Sequence, residues 1–382
     1  MVCSRKVIRI SVAFLTLTCL GFGQFKPAKY YKLGGKNLLS LQVIAADFNN
    51  DGILDLAVAD ALSNEVSVLL GKPDGTFGPP IIFPVAYPVS IASGDMNGDG
   101  NQDLIVAEYG GTGTGDVGIF LGDGTGHFKL FDAYQAGIEP ISLTVADFNG
   151  DGNLDVAVAN HGNNNLGESM MVFFGKGSGA LGQPTSYPFE VKDPGGPDAI
   201  AAGDLNRDGD VDLVLVVSSF SKRNPSFVAI FLNDGAGKFR QSGKYFAGGG
   251  TPTDVVIADL NGDGKPDIAV ANENQALGVL LNKGGGKFGK TAIYPACKNC
   301  GGPDALAVGD FNGDGVPDIA VVGYLSNGIY HGKGKGTFGA ETPLSDVKAG
   351  VWVTTGAFGQ DAAPDLAFSI GDNQVGVLLN KK

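Results

Sequence analysis

The stretch Asp147-Phe148-Asn149-Gly150-Asp151-Gly152-Asn153-Leu154-Asp155, running straight into Val156-Ala157-Val158-Ala159, decides how the rest of this chain is read. Side-chain oxygens fall at its positions 1, 3, 5 and 9, and a glycine at position 6 allows a sharp turn. Apolar residues follow at once in a β-type run. The pattern D-x-N-x-D-G-x-x-D recurs in copies beginning at Asp47, Asp95, Asp204, Asp259 and Asp310. The spacing between copies, roughly 50 residues, is that of propeller blades.

The chemistry of the repeat is that of a hard cation. Position 1 is Asp47, Asp95, Asp147, Asp204, Asp259 and Asp310; position 3 is Asn49, Asn97, Asn149, Asn206, Asn261 and Asn312. Position 5 is Asp51, Asp99, Asp151, Asp208, Asp263 and Asp314; position 9 is Asp55, Asp103, Asp155, Asp212, Asp267 and Asp318. Position 7 varies through Ile53, Asn101, Asn153, Asp210, Lys265 and Val316, as expected if only its carbonyl is used. Oxygen donors without sulfur or imidazole suit Ca²⁺, which tolerates flexible geometry. An EF-hand is excluded because position 12 is Val58, Val106, Val158, Leu215, Val270 or Val321 inside a strand, where an EF-hand needs a bidentate Glu on a helix. The alternative is a set of metal-free Asx hairpins. A seventh copy, Ala357 to Asp365, has Ala357 and Gly359 at ligand positions 1 and 3, so its turn is expected to persist without calcium.

A second element accompanies each of the six clear loops, a glycine-rich turn ending in Phe, as in Asp74-Gly75-Thr76-Phe77-Gly78 and Gly334-Lys335-Gly336-Thr337-Phe338-Gly339, or in Leu in the weaker copy Gly177-Ser178-Gly179-Ala180-Leu181-Gly182. Together the two elements resemble the FG-GAP/VCBS repeats of integrin α-subunit β-propellers and their secreted bacterial relatives. The resemblance spans essentially the whole chain after the N-terminal segment. It implies an all-β, seven-bladed propeller of four-stranded blades, about six structural Ca²⁺ ions, and recognition of a partner on the face opposite the calcium loops.

Each blade is expected to run in four strands: one before the loop (Ser90–Gly94), one after it (Leu56–Ala59), a third such as Val66–Leu70, and a fourth such as Ile81–Phe83. The last blade ends after its third strand, at Lys382. Residues 24–33, Gln24-Phe25-Lys26-Pro27-Ala28-Lys29-Tyr30-Tyr31-Lys32-Leu33, have the character of the missing fourth. They are expected to pair with the C-terminal blade and close the ring, which removes exposed sheet edges.

Residues 1–23 read as a secretory signal peptide: Arg5, Lys6 and Arg9, then an apolar run from Ile10 to Phe22, then small residues Gly21 and Gly23 before Gln24. An uncleaved anchor is the alternative. The mature chain, 24–382, is expected to be one domain, secreted or at the cell surface (a periplasmic location is also open), monomeric and without a transmembrane span. Cleavage leaves Cys297 and Cys300, whose simplest fate in an exported protein is a small loop disulfide.

The formal charge of −13 becomes −16 without Arg5, Lys6 and Arg9, and six divalent ions would bring it to −4. The acidity is mostly that of the loops. No Lys/Arg stripe with interleaved aromatics appears, so nucleic acid is not an expected partner.

Function is expected in the irregular loops opposite the calcium loops, because variable loops on a rigid scaffold are the usual site of binding. Candidate contacts there are Tyr109, His161, Asn163, Asn164, Asn165, Tyr187, Arg223, Tyr294 and Tyr324. Asp198, Asp254 and Asp304 recur after Pro197, near Pro252 and after Pro303, and are expected to cap backbone amides. The leading expectation is non-catalytic recognition of a glycan or an extracellular protein. The alternatives are a polysaccharide-degrading enzyme, with His161 beside Tyr109 or Arg223, and a purely structural surface module. No G-x-S-x-G elbow, H-E-x-x-H pair or phosphate loop is present.

Overall fold

The structure, a computed structural model, describes residues 24–381 apart from 36–39, 112, 164–166, 189–194, 221, 222, 224, 274, 275, 297–300, 325, 345, 346 and 360. The proposed signal peptide, Asn164, Asn165 and both cysteines Cys297 and Cys300 lie outside the described residues. Seven separate four-stranded antiparallel sheets follow one another around a ring. No helix is long and apolar enough to cross a membrane among the described residues.

Blade 1 is Ser40–Ala46, Asp55–Asp60, Glu65–Leu69 and Ile81–Pro84. Blades 2 to 6 begin at Pro88–Gly94, Pro140–Ala146, Pro197–Gly203, Thr251–Ala258 and Ala305–Gly309, and each pairs its strands in sequence order. Blade 7 comprises Gly350–Gly356, Asp365–Ile370 and Gln374–Leu378, and its outermost strand is Lys29–Lys32. That strand runs antiparallel to the last one, with Lys29 opposite Val377 and Lys32 opposite Gln374. The chain extends the pairing through a Phe25–Asn380 bridge and the bond from the Lys26 amide to the Leu379 carbonyl at 2.8 Å. The ring therefore closes as its two ends predict.

The second strand of each blade is buried on both faces, as in Asp55–Asp60 and Asp155–Asn160. Alternate side chains go to opposite faces of a strand. One parity packs against the preceding blade and the other against the following one. Thus Ala157 and Ala159 of blade 3 share a cluster with Leu213, Leu215 and Phe231 of blade 4, while Val156 and Val158 pack with Ile105 and Ile119 of blade 2. The small Ala and Val residues of these strands let neighbouring blades approach closely.

The calcium-type loops join first to second strands, and the glycine-phenylalanine turns join third to fourth strands, on one face of the ring. Position 6 of every intact loop has a positive φ, for example 82° at Gly52 and 86° at Gly152, a conformation that glycine adopts without steric cost.

Candidate functional site at the axial mouth

Two arrangements carry the chemistry. The first is the repeated loop. Its ninth-position aspartate is buried in every blade and is tied to two backbone amides. Asp155 accepts from the Phe148 amide at 2.8 Å and from the Gly175 amide at 2.7 Å. Asp55 does the same with Phe48 and Gly71, and so does Asp365 of the decayed seventh copy, with Phe358 and Asn380. One carboxylate thus locks the first loop of a blade to its other turn. The seventh turn keeps its shape through this aspartate, although its first and third ligand positions are lost. The sequence pattern shows an oxygen at position 9 but not this second duty, because the Gly175 amide lies 20 residues away.

The exposed half of the loop is folded onto itself. Asp147 accepts from the amides of Gly150, Asp151 and Gly152, Asn149 from that of Asp151, and Asp151 from that of Asn153. The donor set is oxygen only and suits a hard divalent ion. Burial pushes Asp155 up to about 6, and the neighbouring charges of Asp151 and Asp147 add to the rise, a repulsion that such an ion would relieve. Among the described residues no three acidic, His or Cys side chains are drawn together tightly enough to enclose an ion. The loop presents the donors without gathering them.

The second arrangement lies at the opposite end of the ring axis, where the first strands begin. A cavity of about 410 Å³ opens there, lined by residues from all seven blades, including Tyr87, Tyr109, Asp198, Thr253, Asp304 and Trp352. Its volume is within the usual range of small-molecule sites. Tyr87 and Tyr109 form a ring pair with centroids 5.6 Å apart. Tyr87 and Glu139 have φ of 45° and 53°, unusual for side chains of this size. Such strain concentrates at functional sites. Each stands directly before the proline that opens its blade, at the rim of the mouth.

The charged groups converge on one side. The Glu139 carboxylate accepts from the Tyr109 hydroxyl, which burial and then that carboxylate push up to about 12. His161 lies between two acids, with Nδ1 3.8 Å from Glu139 and Nε2 3.6 Å from Asp198. Burial raises Asp198 to about 6, against the lowering influence of His161 and of Ser218. Asp304 is raised to about 6 by burial and by Glu273, and accepts from the Tyr324 amide. Asp254, raised by burial to about 7, accepts from the amides of Val255 and Leu306. The three recurring aspartates therefore cap backbone amides, and two of them also line the cavity.

Of the sequence candidates, Tyr109 lines the cavity and His161 meets Asp198, one of its lining residues. Tyr324 is three-quarters exposed, one strand-end outward of Asp304. Asn163 and Arg223 sit in neighbouring loops. Tyr187 and Tyr294 need correction, because both point between blades. The Tyr187 hydroxyl donates to the Gly237 carbonyl and accepts from the Phe239 amide, each at 3.3 Å, and the Tyr294 ring lies edge-on to Phe338 at 5.5 Å. Tyr31 on Phe77 and Tyr245 on Phe288 repeat the arrangement. A fourth-strand tyrosine of that parity faces the next blade, where it caps the glycine-phenylalanine turn. The sequence reading missed Tyr87, Glu139 and Trp352, which lie far in sequence from the residues they meet at the mouth. The one available signal was a bulky residue before a blade-opening proline.

The profile of the FG-GAP-like repeat family matches residues 47–106, 95–158, 147–215, 214–270, 259–321 and 310–368. Human integrin alpha-7 is 34% identical over 131 residues, which cover 29% of this chain and 10% of that protein. The chain thus spans about a tenth of the length of this curated relative. Among solved structures, BBS1N in complex with ARL6DN superposes with a TM-score of 0.60 at 14% identity, covering 94% of this chain and 97% of that one. A lectin of Agrocybe aegerita, described as recognising non-reducing terminal N-acetylglucosamine, gives 0.55 at 18%, covering 94% and 96%. At these identities the structural likeness concerns the fold.

Proposed function

Because the chain belongs to the FG-GAP-like repeat family, we propose that it is a secreted, non-catalytic recognition module that takes its ligand in the axial mouth. The observation that carries this is the cavity that joins Tyr87, Tyr109 and Trp352 to the carboxylates of Asp198 and Asp304. Aromatic faces pack on the apolar face of a sugar ring, and carboxylates accept from its hydroxyls, so a glycan residue is the ligand that fits best. It would be met either free or displayed on an extracellular protein partner. The lectin noted above, on a similar fold, is described as binding a sugar, which agrees with this reading.

The six intact loops would hold calcium through positions 1, 3, 5 and 9 and the carbonyl at 7. The ion would supply charge neutralisation at the loop, while Asp155 and its equivalents keep their backbone bonds. Sites of this extracellular kind bind at about 10⁻⁴–10⁻³ M. Atomic-emission counting of calcium, with thermal melting in calcium and in chelator, tests this; no bound metal and no shift would leave bare Asx hairpins.

A glycan array followed by calorimetry with Trp352→Ala and Tyr109→Phe tests the recognition reading. Binding that survives Trp352→Ala unchanged would move the site off the axis. One observation favours a second reading, a polysaccharide-degrading enzyme: Tyr109, Glu139, His161 and Asp198 form a connected chain at the same mouth. Turnover of anionic polysaccharides that is lost in His161→Ala would establish it.

A further inference from the structure

The seam where the ring closes carries a second, unrelated concentration of oxygen. The sixth residue of the second strand sits opposite the start of the first, as in Asn160 opposite Pro140 and Asn272 opposite Pro252. In blades 3 and 5 this residue is a neutral asparagine that ties its blade to the end of the preceding one. Asn160 accepts from the Gly137 amide at 2.9 Å, and Asn272 donates to the Ala247 carbonyl at 3.1 Å. In blade 1 the same position is Asp60, opposite Ser40.

Asp60 is fully buried, and its cross-strand neighbour is another acid, Glu65. Like charges directly opposed across strands destabilise each other. Ser63 donates its amide to Asp60 Oδ1 at 3.2 Å, and its hydroxyl also bonds this carboxylate. Asp60 Oδ2 and Glu65 Oε1 are buried without a hydrogen-bond partner among the described residues. Facing them is the backbone of Gly34 and Gly35, which continues from the ring-closing strand. A Cβ on Gly35 would lie 2.5 Å from Asp60 Oδ2, and one on Gly34 would lie 2.8 Å from Glu65 Oε1. From blade 7, Asn373 donates to the Gly35 carbonyl, and this side chain, only 7% exposed, leaves Oδ1 buried and unpartnered. Two unpartnered carboxylate oxygens thus face one glycine pair where the first and last blades meet, and the side chain that binds its carbonyl carries a third unpartnered oxygen.

A buried carboxylate oxygen without a partner is costly, and here two such oxygens belong to opposed acids. We infer that this seam is a cation site in which Asp60, Glu65 and the Asn373 carboxamide oxygen hold a divalent ion of the calcium type, clamping blade 1 to blade 7. Two carboxylates supply two negative charges, and every donor is a hard oxygen. The site is independent of the six loops on the other face and would stand if those bound nothing. It replaces, in the blade that follows the ring-closing strand, the direct hydrogen bond that Asn160 and Asn272 make elsewhere.

The test uses calcium chloride as the only ligand and the mature chain. Bound calcium is counted by atomic emission in the wild type, in Asp60→Asn/Glu65→Gln and in Lys36→Met, the last removing the nearest ammonium in sequence. Hydrogen exchange of residues 24–33 is measured with calcium and with chelator. The expected result is one ion fewer in the double variant, whatever the wild-type total, and an unchanged count in Lys36→Met. Calcium should slow exchange of residues 24–33 in the wild type, and the double variant should lose that response. Equal counts in the wild type and the double variant would overturn the inference. So would protection of residues 24–33 that depends on Lys36 and not on calcium, since the counter-charge would then be the chain's own. The double variant is expected to fold, because asparagine occupies the Asp60 position in two other blades.

Discussion

Phe25→Ala would test ring closure at a single side chain. Phe25 is 8% exposed, lies with its ring centroid 6.1 Å from that of Phe311 of blade 6 at a 55° tilt, and shares a cluster with Ala305 and Leu378. Its backbone makes the last bridge of the closing strand, to Asn380. Truncating a buried phenylalanine costs about 3–5 kcal/mol, through lost transfer energy and the cavity left behind. Unfolding entropy is roughly 2.1 cal/mol/K per residue, so about 360 ordered residues give a fall in melting temperature of about 4–7 °C. The assay is urea and thermal unfolding of the mature chain, beside Phe131→Ala as a control on a side chain that is 46% exposed. Hydrogen exchange should rise selectively in Gln374–Leu378, which would lose its outer partner as Lys29–Lys32 frays. If Phe25→Ala shifts stability no more than Phe131→Ala and leaves that strand protected, the N-terminal segment does not seal the ring in solution.

Asp155→Ala should cost roughly 2–4 kcal/mol in urea melts, because two buried amides lose their acceptor. Asp365→Ala should cost a similar amount with or without calcium, since its loop lacks two ligand positions; a calcium-dependent loss would refute the locking role. Tyr187→Phe should lower stability by about 1 kcal/mol, the net worth of a hydrogen bond, and leave ligand binding unchanged. Stability should also depend on pH. Burial raises Asp254 and Glu108 to about 7, so the native state binds these protons more tightly than the unfolded chain. Their contribution is therefore greatest near pH 4, is lost as pH rises through about 7, and is flat above that. Melting in chelator from pH 5 to 8 should show the decline, and Asp254→Asn should flatten it.

The sequence alone determined the blade count, the strand order within a blade and the place of ring closure. These follow from local rules. A loop with fixed oxygen spacing and a glycine at positive φ must turn sharply, and apolar residues on both parities must be buried on both faces. The repeats state these rules six times and the two chain ends supply the missing strand. The loop's oxygen chemistry was equally legible. The second task of the ninth aspartate was not, because its partner amide belongs to a turn 14–21 residues away.

What only the tertiary structure decided is which side chains meet between blades. Tyr187 and Tyr294 have the composition of surface contacts, but strand parity turns them inward onto the next blade's turn. Tyr87 and Tyr109 come from blade 2, Glu139 and His161 from blade 3, Asp198 from blade 4 and Trp352 from blade 7, so their convergence on the axis appears only when the ring is closed. The same holds at the seam, where Asp60 and Asn373 lie at opposite ends of the sequence. Repetition encodes the scaffold in short-range spacing, whereas the mouth and the seam exist through closure, which places residues by angle around the ring and not by distance along the chain.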